Sequence, residues 1–446
     1  MSFLDRPSFL DRAGFRAAYL PFVFFALWAG DALRYTLSWW GFGAIAIAMT
    51  VIAVIMSVRA RKRGAWVWNR LPFFLLLFLG LATISIAWSY YRGATVLGLL
   101  ITWMATVIGF SVAVSFSWPQ ILRALGIAFR LILGLSLVFE FVVAAFIRHP
   151  ILPFWVDYGR TTDLPKLLYW SRDLLFEGGK IQGIVGNSSL LAMAALVGLI
   201  VFCLQWAGRT VRRGVGAFWV LVALATILLT RSATITVAIV LLSLVLATVL
   251  VLRRAGPRGT LAIYATVLTL AVGGVILVTR FNSTILGLLG KSDDLTGRLD
   301  IWAAVIHLAE QRPVAGWGWV SWWVPWVAPF DTLAFEAGVR QLHAHNAWLD
   351  VFLQLGIIGL VVFGALILST AIRSVQFATQ TAKESPREPG LFTVISLLPL
   401  LLLVALLVQS LAESRLLVEY GLLTLVIIAV KTKLGERSST SRVTSQ

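Results

Sequence analysis

Residues 341–369 read QLHAHNAWLDVFLQLGIIGLVVFGALILS. From Ala347 onward the stretch is apolar, with Asp350 its single charge. A helix over 347–369, rising about 1.5 Å per residue, crosses a hydrocarbon layer of about 30 Å. At its mouth stand His343 and His345, two of the four histidines in the chain. Two questions follow: what kind of chain surrounds this run, and why titratable groups gather at its edge.

Runs of the same kind recur along the whole length. Twelve spans are predicted, at 17–33, 40–58, 71–88, 95–116, 122–146, 190–206, 215–230, 233–252, 260–279, 347–369, 391–410 and 416–430. The chain is 59% hydrophobic and 13% charged, with mean hydropathy +0.90. Soluble domains carry roughly twice that share of charge. The expectation is an all-α polytopic membrane protein, one integral membrane domain over 1–446 with about 12 transmembrane helices. Cys203 is the only cysteine, so neither an internal disulfide nor a cysteine-based metal site can form. The opening MSFLDRPSFLDRAGFR lacks the layout of a cleavable signal.

The net charge of +17 has a pattern. With the N-terminus placed in the cytoplasm, the segments on that side hold 22 of the 37 Lys and Arg residues. They include RARKRGAWVWNR at 59–70, AGRTVRRG at 207–214 and RRAGPRG at 253–259. This is the positive-inside asymmetry, and it puts both termini in the cytoplasm. The basic excess then faces membrane lipids, and no nucleic-acid partner is expected.

Two large loops fall on the other face, at 147–189 and 280–346. Loops this long usually carry function. The second contains RLDIWAAVIHLAE at 298–310, a short amphipathic helix with Leu299, Trp302, Val305, Ile306 and Leu308 on its apolar side. The residues able to do chemistry collect nearby. His343 and His345 are two apart, so both can face one side and accept a proton near neutral pH; they would serve equally as polar caps. In LLTRSATIT at 228–236, Arg231 interrupts an apolar stretch, as a phosphate-gripping guanidinium or as part of a plain turn. Arg298 offers a second guanidinium, or pairs with Asp294 or Asp300. In RPVAGWGWVSWWVPW at 312–326, tryptophans 317, 319, 322, 323 and 326 suit an interfacial belt or the stacking of sugar rings, and Gly316 and Gly318 let backbone pass close to something bulky. No recognised metal spacing joins the histidines to Asp331, Glu336, Asp350 or Asp293–Asp294, and no phosphate loop is present, so no metal or other cofactor is expected.

Taken in order, TRSAT at 230–234, TGRLDIW at 296–302, RPVAGWGW at 312–319 and HNAWLDVFLQLGIIG at 345–359 resemble the signature blocks of the O-antigen ligase and Wzy-type polysaccharide polymerase superfamily. The signature region spans 228–370, with its outer loop at 280–346. GNSSLLAMAAL at 186–196 is similar to the Gly-Asn entry to the sixth span in exopolysaccharide polymerases of that group. The resemblance implies a metal-independent inverting glycosyltransferase of the bacterial inner membrane, working on the extracytoplasmic face. Its donor would be a polyprenyl diphosphate-linked oligosaccharide and its acceptor a glycan or lipid hydroxyl. A flippase and a chain-length regulator would be protein partners. His345 would be the general base with His343 beside it. Arg231 and Arg298 would bind the diphosphate, supplemented by Arg160 and Arg172. Trp317, Trp319, Asn346 and Asp350 would contact sugar.

Polymerisation of surface-polysaccharide repeat units is the leading expectation. A ligase placing finished glycan on a lipid or protein acceptor shares every motif. A transporter for lipid-linked sugars would want mid-membrane charges and internal symmetry, whereas Arg130, Glu140, Asp350 and Glu419 stand mostly toward span ends. A metal-dependent enzyme would want acidic residues in the first outer loop, GDALRYTLSWW, which holds only Asp31.

Overall fold

The computed structural model describes residues 9–156, 164–256, 258–266, 269, 280, 293–336, 338–379 and 393–440. Its helices are α1 (Ala13–Trp28), α2 (Gly30–Lys62), α3 (Phe73–Ile84), α4 (Arg92–Ser115), α5 (Trp118–Val142), α6 (Ser188–Ala207), α7 (Arg213–Thr230), α8 (Ala233–Leu252), α9 (Asp293–Ala309), α10 (Ala347–Thr379), α11 (Leu398–Ser410) and α12 (Glu419–Thr440). The only ladder among the described residues is a two-residue antiparallel hairpin, Phe335–Glu336 with Val339–Arg340.

Among the described residues, seven helical stretches are long and apolar enough to cross a membrane: 30–62, 92–115, 118–147, 188–207, 213–230, 233–252 and 347–379. Shorter apolar helices at 13–28, 73–87 and 394–410 occupy the places of three more expected spans, and α12 occupies that of the last. The chain is an all-helical, multi-pass membrane protein. The described residues do not reach the expected twelve, because the ninth span, 260–279, falls largely outside them. The second span also needs correction. Helix begins at Gly30 rather than near 40, so the segment read as the first outer loop is helical, broken by non-helical backbone at Ser38 (φ 67°, ψ 174°).

The middle of the bundle is α12, whose residues Leu422–Val430 are all buried, flanked by α4 and α10. A helix apolar on every side belongs inside a bundle. Contacts define two ends. At one, Arg16 reaches the Ser115 carbonyl, Arg59 and Arg63 pair with Asp11, Arg253 bonds the Ala378 carbonyl and Ser396, and Lys431 bonds the carbonyls of Ala113 and Phe116. At the other, the first large loop folds back onto the helices. Glu140 of α5, 1% exposed, accepts from the amides of Gln182 (2.9 Å) and Gly183 (2.6 Å) and from the Ser171 hydroxyl (3.1 Å). Asn187 then caps α6, accepting from the amides of Ser189 and Leu190.

The site end is organised by a break in α10. At Gly356 (φ 64°, ψ −161°) the helix is interrupted, and its orphaned backbone groups are taken up by residues 313–318. Trp317 and Gly318 donate to the carbonyls of Leu353 (3.0 Å) and Gln354 (2.9 Å); Ile357 and Ile358 donate to those of Pro313 (2.8 Å) and Val314 (3.2 Å). The Gln354 side chain accepts from the amides of Val320 and Ser321, both at 2.9 Å. The close approach expected at Gly316 and Gly318 is explained: a Cβ on Gly316 would lie 2.4 Å from the Gln354 carbonyl carbon, and one on Gly318 would lie 2.5 Å from Ser89. Irregular backbone at membrane depth is tolerated only where protein satisfies it.

The helix expected at 298–310 is α9, and it packs more deeply than a helix lying free at an interface. Ile301, Val305, Leu308 and Ala309 are buried against α10 and the 320–334 loop, while Leu299 and Ile306 remain exposed.

Gly356→Ala should destabilise the fold by about 1–3 kcal/mol from backbone strain. Its Cβ would also stand 2.3 Å from the Val314 carbonyl oxygen. Gly364→Ala, which meets nothing within 4 Å, should unfold like the wild type. Thermal unfolding in lipid nanodiscs compares the two, and equal midpoints would refute the account of the break.

Candidate functional site

The histidine pair is shaped by backbone first. Asn346 caps α10, its Oδ1 accepting from the amides of Trp348 (3.0 Å) and Leu349 (3.3 Å). Just before it, His345 takes left-handed backbone, φ 49°. The two imidazole centroids lie 4.1 Å apart. Asp350, 0% exposed, holds this turn from within. It accepts from the Ala344 amide (3.0 Å), the Trp323 indole (2.8 Å) and the Ser414 hydroxyl. One carboxylate thus ties the histidine turn to the tryptophan-rich loop and to the link between α11 and α12.

That link contributes Glu413. Its Oε2 lies 3.2 Å from His345 Nδ1 and 4.0 Å from His343 Nε2, and its Oε1 accepts from Arg298 Nη2 at 3.3 Å. His345 Nε2 faces Gln341 Oε1 at 3.0 Å. His343 Nδ1 accepts from the His345 amide at 3.1 Å, which leaves its proton on Nε2, toward Glu413. Burial alone would raise the Glu413 carboxyl. His345, through charge and a hydrogen bond, then His343 and Arg298, outweigh it and hold the group well below the usual carboxylate range. Burial, followed by the charge of His345, pushes His343 well below its ordinary 6.5; Glu413 opposes and Arg415 and Arg298 reinforce the shift. The site therefore holds a fixed carboxylate, a neutral His343 and, between them, His345.

A second group of charges backs the first. Arg415 lies 4.9 Å from the Trp322 ring, which packs edgewise on His343. Arg415 pairs with Glu419 (2.8 Å) and Asp31 (3.8 Å), and Arg34 pairs with the same two carboxylates. His343, His345 and Glu413 bring possible ligand atoms within 4.8 Å of one another, so they could offer a cation three donors. Arg298 and Arg415 already place positive charge beside them, however, and the hydrogen-bond pattern reads as proton handling.

The sequence-predicted residues divide. His343, His345 and Arg298 converge on Glu413. Arg231 ends α7 in left-handed backbone (φ 50°) and is exposed. Its guanidinium would lie 3.5 Å from a Cβ on Gly178, so it leans on the first large loop. Arg172 is half-buried in the same loop, beside Ser171. Arg160 lies outside the described residues. Three of the expected sugar contacts need correction. Trp319 is 0% exposed, its indole donating to Thr102 (2.9 Å), so no ring face is open. Asp350 is equally enclosed and serves as the hub just described. Asn346 spends its side-chain oxygen on the helix cap. Trp317 is half-buried, donating to the Leu308 carbonyl with the Arg312 guanidinium 4.4 Å from its ring.

Glu413 and Gln341 were not anticipated. The available signal was SLAESRLLVEY at 410–420, where Glu413, Ser414 and Arg415 crowd a short link between apolar runs.

The segment that supplies Arg231, Arg298 and the histidines also matches a known family: residues 218–364 match the O-antigen ligase family. Over those residues the chain is similar to that family. Exopolysaccharide production protein ExoQ of Rhizobium meliloti (strain 1021) is 31% identical over 133 residues, 28% of this chain and 30% of that relative. Glu413 lies beyond the matched residues 218–364, so the cluster is completed from outside them.

The protonation of His343 has a measurable consequence. A histidine depressed in the fold is protonated first in the unfolded chain as pH falls through 6.5. Its contribution to stability is therefore whole above that pH and declines below it. The unfolding midpoint should fall from pH 7 to 5.5, and His343→Gln should flatten that slope. Parallel slopes would mean His343 is not held neutral.

Proposed function

We propose that this protein is a glycosyltransferase of surface-polysaccharide assembly, joining glycan units released from a polyprenyl diphosphate carrier. One observation carries the reading. His345 has Nδ1 fixed on a buried carboxylate and Nε2 directed to a replaceable amide, and that carboxylate also holds Arg298. A histidine oriented by a carboxylate at one nitrogen is equipped to take a proton at the other. The match to the O-antigen ligase family over 218–364 and the exopolysaccharide relative support this substrate class.

The reaction follows from these parts. The acceptor hydroxyl attacks the anomeric carbon, and its proton passes to His345 Nε2. The bond from that carbon to the carrier oxygen breaks with its electron pair, and polyprenyl diphosphate leaves. A single displacement inverts the anomeric centre. Arg298 uses one nitrogen on Glu413 and keeps other N–H donors for the departing diphosphate. Arg231 from the end of α7, with Arg160 and Arg172 from the first large loop, would approach the same anion. Electrostatic stabilisation of this type is often the largest catalytic term. The end rich in Arg16, Arg59, Arg63, Arg253 and Lys431 would face the cytoplasm of a bacterial inner membrane, with both termini there and the histidines on the outer face.

A ligase using a lipid or protein acceptor shares this chemistry, and the family match favours it as the second reading. Purified protein in lipid, given one lipid-linked repeat unit and no other acceptor, separates the two. A polymerase makes a ladder of longer glycans; a ligase makes none until an acceptor is added. His345→Ala should cut transfer by about 10²–10⁴-fold, and full activity would remove His345 as base. Arg298→Lys should raise the donor KM, because an ammonium cannot form a bidentate pair. In a Cys203→Ser background, an impermeant thiol reagent applied outside should label Phe335→Cys and spare Arg63→Cys; the reverse would invert the topology.

A further inference from the structure

His345 has two nitrogens, and the structure accounts for both. Nδ1 is held by Glu413. Nε2, the nitrogen left for substrate, lies 3.0 Å from the Gln341 amide oxygen. Gln341 is itself fixed. Its amide nitrogen donates to the Val339 carbonyl (3.2 Å), and its backbone N–H donates to the Ala334 carbonyl (3.0 Å), at the foot of the Phe335–Arg340 hairpin. A hydroxyl about to surrender its proton needs the position this side chain fills.

An amide suits that position in both protonation states. Its oxygen accepts from an Nε2–H, and turned over, its NH2 donates to a bare Nε2. A hydroxyl has the same double capacity. The charged and titratable groups around the histidine pair are Glu413 and Arg415 from the α11–α12 link and Arg298 from α9.

We propose that Gln341 holds the place of the acceptor hydroxyl at His345 Nε2 and keeps water out until a glycan acceptor displaces it. This rests on the reading of His345 as base. Water is a smaller acceptor present at far higher concentration. If it reached Nε2 beside a bound donor, its oxygen would bond the anomeric carbon and its proton would pass to His345. The carbon–phosphate-oxygen bond would break, and the product would be free glycan and carrier diphosphate. An amide held by a hairpin bars that loss, and a sugar with further contacts moves it aside. Gln341 is thus a specificity residue, setting the partition between transfer and hydrolysis.

The test uses full-length protein in lipid nanodiscs and lipid-linked glycans extracted from cells lacking this protein, which accumulate its donor. Longer glycan and free glycan are both quantified. Gln341→Ala should raise the ratio of hydrolysis to transfer by roughly 3- to 10-fold, the worth of one hydrogen bond. Gln341→Glu should behave differently. Its carboxylate can accept from Nε2–H but not donate to bare Nε2, so it favours protonated His345 and should move the acid limb of the rate profile to higher pH. A merely structural role would lower total activity in both variants and leave partition and pH profile alone. An unchanged ratio in folded Gln341→Ala protein, its unfolding midpoint near wild type, overturns the proposal. If that variant does not fold, Gln341→Asn, which keeps an amide but not its reach, gives the same readout. Activity surviving in His345→Ala would instead sink the reading of the base itself, and with it this role for Gln341.

Discussion

The break at Gly356 is the constraint on which the rest of the site end depends. A helix cut inside a membrane exposes carbonyls and amides that lipid cannot satisfy, at a cost of several kcal/mol for each group left unpaired. Residues 313–318 remove that cost by running alongside the cut, and the approach is close enough that glycine is required on both partners. With that segment anchored, the Gln354 side chain takes the amides of Val320 and Ser321, Trp323 reaches Asp350, and Asp350 holds Ala344 between the histidines. The histidine turn is thus positioned by backbone bonding at the break in α10.

Electrostatic economy is the second theme. Glu413 serves three cationic or titratable neighbours at once, and the pair Asp31 and Glu419 does the same for Arg34 and Arg415. Buried carboxylates of this kind seldom add net stability against an apolar core, and removing one partner leaves an expensive uncompensated charge. They are better understood as fixing geometry. Glu140 illustrates this away from the histidines: it spends its oxygens on two loop amides and a hydroxyl, converting a long connection into a defined surface beside Arg231.

Much of the architecture was legible because hydrophobic run length maps directly onto membrane thickness, and because basic residues mark one end. The start of α2 was misread, since GDALRYTLSWW is polar enough to suggest a loop although it is helical around a kink at Ser38. The break in α10 was not legible. Gly356 and Gly359 would look the same in a continuous helix, and the groups completing the break lie some 40 positions away. His345 and Arg298 could be found through ordered motifs. Glu413 could not, because its bond to His345 joins residues 68 apart. Trp319, Asp350 and Asn346 were expected to contact sugar because of their neighbours in sequence, whereas burial and capping consume their polar atoms.

The source of Glu413 has a bearing on biogenesis. Arg298 and the histidines precede α10, but the carboxylate that organises them arrives only with the link between α11 and α12. During synthesis, a chain lacking the last helical pair would present its guanidiniums and imidazoles without the group that orders them. The cluster of His343, His345, Arg298 and Glu413 can therefore take its ordered form only after α11 has been made, so the geometry of the histidine turn depends on chain synthesised well after the histidines themselves.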